Sequence, residues 1–416
     1  MRILHVANQD VGGAARAMLR LHEGLLSQGE DSHVLVAKKK MALPKVEEWK
    51  GSMNPVSRVQ RRSRRWWLDC CAQMRERNQP VGFELFTDDR TRFGDHIVDD
   101  LNEFDLVNFH WISQFVDHAK VFPRLKVPVV WTLHDQNPFT GGCHYDFGCE
   151  RWRQGCGSCP QLGSDSERDF SAKAWLRKKE VYQRVGEGMH IVTPSEWLGK
   201  LAQESPLLGS HPVRVIPYGV PTDIFHPGGR SGLRSAFKIG DMDRVILFVS
   251  DNLNNRRKGF QVLRDALRAL RPRTGSRVVV LSVGVGSEND LGEFEHHHLG
   301  TLRKEELVSA AFSAADIFVA PALQDNLPNT LLESLACGTP IVGSRSGGIP
   351  DAVRPGKTGW LFDSGSSHSL HDVLAEALSS EELLDMRKEC REMALQRYSL
   401  EVQARKYISL YNEILP

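Results

Sequence analysis

The 416-residue sequence has nearly balanced charge and no long apolar run, and we expect no secretory signal. Lysine and arginine number 53 against 52 aspartate and glutamate residues. Nucleic-acid-binding proteins usually have a strongly basic balance, so we expect no nucleic acid as a partner. No apolar run approaches the ~18 residues that cross a bilayer. Asn8, Gln9 and Asp10 interrupt the N-terminal apolar run at once, unlike a signal peptide, so we expect a cytoplasmic protein.

The composition is that of a folded globular chain. Apolar residues make up 41% and charged residues 25%, which excludes a wholly disordered protein. The length corresponds to two or three domains. Because the eight cysteines would lie in a reducing compartment, we expect thiols or metal ligands rather than disulfides.

Short apolar runs alternate with amphipathic helical patterns along the chain. Residues 3–7 and 34–37 have strand character, and a glycine turn and a helical pattern over 14–27 lie between them. A strand–helix–strand unit of this kind implies a parallel sheet. The alternation continues in two series, with further strands predicted at 106–109, 129–132, 190–193, 245–249, 278–283, 317–320 and 341–343 and further helices at 259–271, 303–313 and 327–337.

The two series predict an α/β protein with two doubly wound, Rossmann-like domains. The first covers residues 1–205, a linker rich in Pro and Gly covers 206–240, and the second domain covers 241–397. A last helical segment at 398–416 is expected to pack back on the N-terminal domain. Such folds bind ligands beyond the carboxyl ends of their strands, so two facing halves would form one interdomain cleft.

The sharpest local pattern is the helix that follows the predicted strand 317–320. Asn326 is a suitable N-cap, and Gly338 ends the helix before a proline. A helix N-terminus attracts an anion such as diphosphate. Glu333 lies on the side opposite the apolar residues, where it can accept hydrogen bonds from two sugar hydroxyls. A solvated surface carboxylate is the alternative for Glu333.

Residues 316–351 closely resemble the donor-sugar signature of glycosyltransferase family 4, whose members have the two-domain GT-B fold and retain the anomeric configuration. That family places an acid, seven residues and then a glutamate, which here are Asp325 and Glu333. The resemblance implies that Glu333 contacts the nucleotide ribose and Asp325 the donor sugar, and that Asn326 and Leu327 bind substrate. Asp325 stands where the family more usually has glutamate, which is one methylene longer.

Three consecutive cations, Arg256, Arg257 and Lys258, follow the first strand of the second series. They suit a diphosphate, because the leaving nucleoside diphosphate gains negative charge as the glycosidic bond breaks. A solvated basic turn is the alternative. Arg257-Lys258-Gly259 matches the phosphate-binding Arg-Lys-Gly of the resembling family, which assigns Arg257 and Lys258 to catalysis. An arginine that the family often carries slightly earlier is Asn252 here.

Gly12 and Gly13 form a turn before the first helix, where backbone amides can approach an anion. The turn is not G-x-G-x-x-G, and the run Gly284-Val285-Gly286 also lacks the third glycine, so a dehydrogenase is disfavoured. In the resembling family this loop closes over donor phosphate and acceptor, which implies that Gly12 and Gly13 bind substrate.

His134 lies at the end of the predicted strand 129–132, on the ligand side of such a fold. It can hydrogen-bond a sugar hydroxyl or the departing phosphate, with Asp135 fixing its tautomer, and a structural histidine is the alternative. His134 matches the family's histidine at this place, and His110, after strand 106–109, is a weaker candidate. No Ser–His–acid arrangement is evident, and the resemblance implies that the donor's own phosphate deprotonates the acceptor hydroxyl.

Four of the eight cysteines fall within seventeen residues, at C-x5-C-x6-C-x2-C spacing: Cys143, Cys149, Cys156 and Cys159. Four thiolates in a glycine-rich loop fit a structural zinc site, and reduced thiols are the equal alternative. The spacing is not that of a ferredoxin, and we expect no catalytic metal. Colanic-acid-type members of the resembling family carry a similar cysteine-rich insertion, here about 140–162. Adjacent histidines at 296–298 point to opposite faces of a strand and are expected to be structural.

A basic stretch with two tryptophans lies in the N-terminal half and comprises Arg58, Arg61, Arg62, Arg64, Arg65, Trp66, Trp67, Arg75 and Arg77. Such a stretch suits anionic lipid or a lipid-linked phosphate acceptor, so a peripheral contact with the inner face of the membrane is one interpretation. A solvated helix is the other.

Together these features predict a retaining hexosyltransferase that moves a sugar from a nucleotide-diphosphate sugar to a glycan or lipid-linked oligosaccharide acceptor, in polysaccharide biosynthesis. Two alternatives stay open. One is a non-catalytic sugar-nucleotide-binding protein, for which Asp325 is mild support, and the other is a GT-B relative such as a sugar-nucleotide epimerase. A phosphorylase would need a pyridoxal lysine, for which the sequence has no signature.

Overall fold

The structure is a computed structural model that describes residues 1–51, 55–80, 82–185, 188–271, 277–286 and 291–415. The side chains of 55–58, 60 and 76 lie outside this description, and Arg58 of the predicted basic stretch is among them. The chain divides into two compact units. One is Met1–Ile216 together with Ala404–Pro416, and the other is Pro217–Gln403.

The first unit is built on a seven-stranded parallel sheet. Its strands are β1 (Arg2–Gln9), β2 (Asp31–Lys38), β3 (Val46–Glu48), β4 (Leu106–Phe109), β5 (Val129–Thr132), β6 (Met189–Thr193) and β7 (Val213–Val215). They are ordered β3-β2-β1-β4-β5-β6-β7. The helices are α1 (Gly13–Ser27), α2 (Pro55–Glu76), α3 (Val98–Leu101), α4 (His118–Val121), α5 (Phe170–Val185) and α6 (Glu196–Glu204).

The last helix of the chain, α14 (Leu400–Ile414), contributes to the core of the first unit. Tyr407 and Tyr411 are fully buried there. The Tyr411 hydroxyl accepts a hydrogen bond from Asn108 Nδ2 at 2.8 Å, and the Tyr407 hydroxyl lies 2.9 Å from Thr132 Oγ1. Each buried hydroxyl therefore has a partner, as the cost of burying a polar group requires.

The second unit is built on a six-stranded parallel sheet. Its strands are β8 (Arg244–Asn252), β9 (Val278–Val285), β10 (Glu295–His298), β11 (Ile317–Ala320), β12 (Ile341–Ser344) and β13 (Gly359–Phe362). They are ordered β10-β9-β8-β11-β12-β13. The helices are α7 (Arg230–Ala236), α8 (Phe260–Ala269), α9 (Glu305–Ala314), α10 (Asn329–Ala336), α11 (Ile349–Ala352), α12 (Ser367–Ser379) and α13 (Leu383–Arg397).

In each sheet the strand order reverses once, between β1 and β4 in the first unit and between β8 and β11 in the second. The predicted pair of doubly wound α/β domains is therefore confirmed. Ligands of such folds bind beyond the carboxyl ends of the strands at this reversal, because the loops on either side of it diverge.

The three adjacent histidines lie on β10, an edge strand. His296 Nε2 and His298 Nδ1 lie 2.7 and 2.9 Å from Ser282 Oγ on the neighbouring strand, and His297 Nε2 lies 2.8 Å from Glu295 Oε1. The alternating directions predicted for these side chains are confirmed.

Candidate functional site

The loop after β8 brings Arg257 and Lys258 against the loop after β11. Residues 256–258 form one turn of 3-10 helix, and the amide of Arg257 donates to Asn255 Oδ1 at 3.0 Å. Gly259 follows with a φ of +73°, and a Cβ atom there would lie 1.9 Å from the carbonyl oxygen of Pro321. Only glycine permits both the left-handed backbone and this close approach.

Asp325 binds both cations in the second unit. Its Oδ2 lies 2.7 Å from Lys258 Nζ and 3.1 Å from Arg257 Nη1, and the Arg257 guanidinium also donates to the carbonyl of Gln324 at 3.0 Å. The Arg257 and Asp325 side chains are only 9% and 7% exposed, whereas Lys258 is 26% exposed. Arg257, Lys258 and Asp325 form what we call the ion triad. Two cations share one carboxylate in it, so the triad carries a net positive charge, which suits a phosphate ligand.

The backbone between Asp325 and the next helix differs from the prediction. Asn326 is not an N-cap, because α10 begins at Asn329 and Pro328 precedes it. Instead the amide of Asn326 donates to Asp325 Oδ1 at 3.0 Å. The residue before a proline disfavours helical dihedrals, so Leu327 cannot start the helix. Asn326 and Leu327, both expected to bind substrate, are each 2% exposed.

A second loop fixes the Asp325 backbone. The amide of Gly348 donates to the Asp325 carbonyl at 3.0 Å. Gly347 has a φ of +57°, and a Cβ atom there would lie 1.7 Å from that carbonyl oxygen. Gly347 and Gly348, near the end of the 316–351 signature, therefore allow the backbone of this loop to contact the backbone carbonyl of Asp325.

Glu333 is fully buried in α10, so the alternative of a solvated surface carboxylate is wrong. Cys337 is also fully buried, with Sγ 3.5 Å from Ser309 Oγ on α9, and Arg391 of α13 donates to the Ala336 carbonyl at 2.8 Å. Glu333 and Cys337 therefore do not lie on a solvent-exposed side of this helix. A buried carboxylate is costly unless its charge is compensated, which makes Glu333 a functional candidate.

Three histidines form a hydrogen-bonded row in the first unit. His110 Nδ1 lies 3.0 Å from His134 Nε2, and His110 Nε2 lies 3.0 Å from His5 Nδ1. The exposed fractions of His5, His110 and His134 are 0%, 3% and 9%. Burial lowers the pKa of His134 to about 4, although the nearby Asp135 opposes this shift. Burial likewise lowers the pKa of His5 and His110 well below the usual value, so all three are neutral at pH 7.

Whether Asp135 fixes the tautomer of His134 stays a prediction, and the hydrogen bonds of Asp135 described by the structure go to other groups. Asp135 Oδ2 instead lies 2.6 Å from His144 Nδ1 and accepts a hydrogen bond from Trp111 Nε1 at 3.0 Å, while Oδ1 accepts from the Asn137 amide at 2.9 Å. Although burial opposes ionisation, the charge and hydrogen bond of His144 lower the pKa of Asp135. The ring partner of His134 is His110, the weaker candidate of the sequence analysis.

His5 and His144 were not predicted as site residues. His5 is visible in the sequence as a polar residue within an otherwise apolar strand pattern, Ile3-Leu4-His5-Val6-Ala7. His144 gives no such signal, because its partner is nine residues earlier and only the folded loop brings them together.

The backbone conformation requires glycine at position 12 but not at position 13. Gly12 precedes α1 with a φ of +100°, a conformation that L side chains rarely adopt, and no side chain caps the helix there. A Cβ atom on Gly13 would meet no atom within 4 Å. The backbone of the turn thus requires glycine only at position 12.

The four clustered cysteines are free thiols that line one small cavity of about 20 Å³: Cys143, Cys149, Cys156 and Cys159. Burial raises the pKa of Cys156 to about 12, and burial together with the neighbouring Cys156 raises that of Cys143. In the part of the chain that the structure describes, no three His, Cys, Asp or Glu side chains are grouped as metal ligands. Thiols suit zinc chemically, so structural zinc stays a prediction, and we assign no step of a reaction to a metal.

The predicted basic stretch lies on α2 except for Arg77, which follows the end of the helix. Trp66 and Trp67 are 70% and 43% exposed, and Arg62 and Arg65 are also exposed. None of the described helices combines the length and the apolar character that a membrane span requires.

Two family descriptions match the chain. "Glycosyltransferase Family 4" matches residues 11–224, and "Glycosyl transferases group 1" matches residues 243–380. The second range contains the ion triad and Glu333.

The curated relatives include several glycosyltransferases. The putative colanic acid biosynthesis glycosyl transferase WcaC of Escherichia coli (strain K12) is 24% identical over 353 residues, which cover 82% of each chain. The D-inositol 3-phosphate glycosyltransferase of Corynebacterium jeikeium (strain K411) is 31% identical over 49% of this chain. The match spans about half of that relative, 52% of its length.

Solved structures match over the whole chain. Anabaena Alr3699/HepE in complex with UDP-glucose has a TM-score of 0.68 at 16% identity, covering 99% of this chain and 100% of that one. WaaG, a glycosyltransferase involved in lipopolysaccharide biosynthesis, has a TM-score of 0.63 at 17% identity, covering 98% and 99%. At these identities the likeness establishes the fold alone.

Proposed function

The chain belongs to glycosyltransferase family 4 and has the GT-B fold, and we propose that it moves a sugar from a nucleoside diphosphate sugar to a glycan or lipid-linked oligosaccharide acceptor, with retention of configuration. The similarity to WcaC supports a role in polysaccharide biosynthesis. The complex of HepE with UDP-glucose supports a nucleotide-sugar donor.

The observation that carries this proposal is the ion triad of the second unit. Arg257 and Lys258 share the single carboxylate of Asp325. A bound diphosphate would take up the surplus positive charge, and this attraction grows as the bond to the sugar breaks and negative charge develops on the leaving group. The two cations therefore stabilise the transition state more than the ground state.

The two acids have different parts in this proposal. Glu333 accepts hydrogen bonds from the ribose hydroxyls, as the family resemblance implies, and such charge-assisted bonds contribute about 1.5–3 kcal/mol each. Asp325 is assigned to the donor sugar by the same resemblance. Because its carboxylate already accepts hydrogen bonds from Lys258 and the Asn326 amide, its first effect is to position the cations.

His134 acts as a neutral hydrogen-bond partner of the substrate in this proposal. Its pKa of about 4 means that it adds no charge at pH 7. We assign no protein nucleophile. The bond from the anomeric carbon to the diphosphate breaks, the bond to the acceptor oxygen forms on the same face, and the acceptor proton passes to a leaving phosphate oxygen.

The test uses nucleoside diphosphate release from a panel of UDP-, GDP- and dTDP-sugars. We expect the double variant Arg257→Ala/Lys258→Ala to slow release by about a hundredfold or more, since one lost transition-state contact has an effect of this order. Arg303→Ala is the control, because Arg303 is an exposed arginine of the same unit outside this loop. If the double variant turns over like Arg303→Ala, the phosphate does not bind at these residues.

A non-catalytic sugar-nucleotide-binding protein is the second candidate. The observation that favours it is the shorter Asp325, whose carboxylate is engaged by Arg257 and Lys258. Such a protein would bind UDP or GDP in calorimetry without releasing nucleoside diphosphate from any sugar of the panel.

A further inference from the structure

A pocket of about 310 Å³ lies at the carboxyl edge of the first sheet. Asn8 near the end of β1, Lys38 at the end of β2 and Gln114 in the loop after β4 line it. The strand order reverses between β1 and β4, which is where doubly wound folds bind ligands. All of its lining residues belong to the first unit.

Positive charge predominates among the residues that line this pocket. Five cations line it, Lys38, Arg65, Arg75, Arg90 and Arg92, against two acids, Asp69 and Asp88. An excess of cations in a concave surface focuses a positive potential on its interior.

Neither Asp69 nor Asp88 neutralises much of the positive charge that lines the pocket. Asp88 accepts hydrogen bonds from Arg90 at 2.9 and 2.6 Å and from Arg177 at 3.2 Å. Burial opposes its ionisation, but these arginines lower its pKa, so its charge is already matched. Asp69 lies 3.6 Å from Arg65, and both side chains are more than 60% exposed. Exposed ion pairs of this kind contribute little.

Several guanidinium groups are crowded beside the pocket. Those of Arg61 and Arg92 lie 4.5 and 4.9 Å from the ring centroid of Phe93. Burial, and then the nearby Arg65, lower the pKa of Arg92, although Asp69 opposes this shift. Burial, then Arg92 and Arg65, lower the pKa of Arg61. Among the described residues Arg92 has no ion pair. A bound anion would relieve the repulsion among these positions.

We propose that this pocket binds a phosphate group of the sugar acceptor, which rests on the proposed function and narrows its acceptor class. Arg65 and Arg92 supply guanidinium groups, which bind phosphate through paired N–H donors. Asn8 and Gln114 supply amide groups at the strand ends. The phosphate is part of either a phosphorylated sugar or a lipid-linked glycan.

The experiment measures binding to two probes that represent these two sources. One is glucose 6-phosphate, titrated in parallel with glucose as its unphosphorylated match. The other is a set of phosphatidylglycerol vesicles, with phosphatidylcholine vesicles as the neutral match. The variants are Arg65→Gln and Arg92→Gln, with Arg62→Gln as control because Arg62 is exposed on the same helix and outside the pocket.

We expect the wild-type chain to bind at least one phosphate probe in preference to its neutral match. Arg65→Gln and Arg92→Gln should each raise the dissociation constant about tenfold, as expected for one charge-assisted contact, and Arg62→Gln should leave it unchanged. The preferred probe identifies the source of the phosphate. Failure to bind either probe, or an equal loss in Arg62→Gln, overturns the proposal.

Titration with UDP separates this proposal from the proposed function. UDP affinity should be the same in wild type, Arg65→Gln and Arg92→Gln, because the donor residues lie in the second unit. If UDP does not bind but a phosphate probe does, the proposed function fails and the pocket assignment stands. If UDP binds and neither probe does, the reverse holds.

Discussion

One carboxylate, Glu333, tests the donor assignment at the scale of a single residue. It is fully buried in α10. We expect Glu333→Gln to raise the dissociation constant for UDP about tenfold, because the neutral amide loses a charge-assisted acceptor. The melting temperature should not fall, since glutamine has the same shape and removes a buried charge.

Calorimetry and thermal denaturation give the two readouts for this variant. Glu381→Gln is the control, because Glu381 is an exposed glutamate of the same unit. Unchanged UDP affinity in Glu333→Gln would exclude Glu333 from the nucleotide site.

The row of three histidines determines the tautomer of His134. His5 Nε2 is buried and has no hydrogen-bond partner among the described residues. A buried N–H without a partner is rarer than an unpaired acceptor, so His5 Nδ1–H donates to His110 and His110 Nδ1–H donates to His134. His134 therefore carries its proton on Nδ1.

We expect His110→Phe to leave the pKa of His134 well below its usual value, because burial lowers this pKa and phenylalanine keeps the ring buried. Nitrogen-15 NMR of the histidine rings measures both the tautomer and the titration. His190→Gln, on β6 outside the row, should change neither. Wild-type spectra with the His134 proton on Nε2 would contradict the assignment.

Sequence spacing is informative for residues at strand ends but not for their partners. His134 was predicted beyond β5 and lies there. Its neighbour Asp135 was expected to contact it, but adjacent side chains diverge after a strand, and Asp135 pairs with His144 of the cysteine-rich loop. Such a partner depends on how the loop folds, which no local pattern encodes.

At the scale of elements, the central strands were predictable and the edge strands were not. Every predicted strand is present, including β1, β5 and β11. β3, β7 and β13 were missed, and the fourth edge strand, β10, was anticipated only as the strand that carries the three adjacent histidines. An edge strand pairs on one side only and needs few apolar residues, so strands of 3 or 4 residues such as these leave a weak pattern.

The predicted helix began at residue 327, whereas α10 begins at Asn329, and the sequence itself explains the difference. Pro328 follows Leu327 in the sequence, and its ring disfavours helical dihedrals at Leu327, which excludes a helix that begins earlier. The loop it creates, 325–328, is the segment that the Gly348 amide and the two cations contact.

The conformation of the loop that carries Arg257 and Lys258 depends on Gly259, and its substitution gives a prediction at the scale of elements. Gly259→Ala should lower the free energy of unfolding by about 1–3 kcal/mol through backbone strain alone. It should also weaken UDP binding, because the clash with the Pro321 carbonyl at 1.9 Å displaces Arg257 and Lys258. Urea denaturation and calorimetry measure the two effects.

Gly232→Ala is the matched control for this variant. Gly232 lies within α7, and a Cβ atom there would meet no atom within 4 Å. Alanine in a helix is favoured over glycine by about 0.5–1 kcal/mol, so this variant should be more stable than wild type. Equal stability of the two variants would show that the loop adjusts freely at position 259.

At the scale of the whole molecule, buried neutral histidines make stability depend on pH. Burial lowers the pKa of His5, His110, His118 and His134 in the folded state. Below pH 6.5 the unfolded chain binds protons at these positions and the folded chain does not, so stability falls as pH falls.

For His134 alone, the shift from 6.5 to about 4 corresponds to about 3 kcal/mol. We therefore expect the free energy of unfolding in urea to decrease between pH 6.5 and pH 4. Above pH 7 these histidines should contribute no dependence. A free energy that is constant from pH 7 to pH 4.5 would mean that these rings are charged or solvated in the folded protein.

The central claim is that a donor diphosphate binds to the second unit beside Asp325. A crystal structure of the chain with UDP bound tests it most directly. The account predicts diphosphate oxygens within hydrogen-bond distance of Arg257 and Lys258, and ribose hydroxyls on the Glu333 carboxylate. UDP bound away from all three side chains would contradict it.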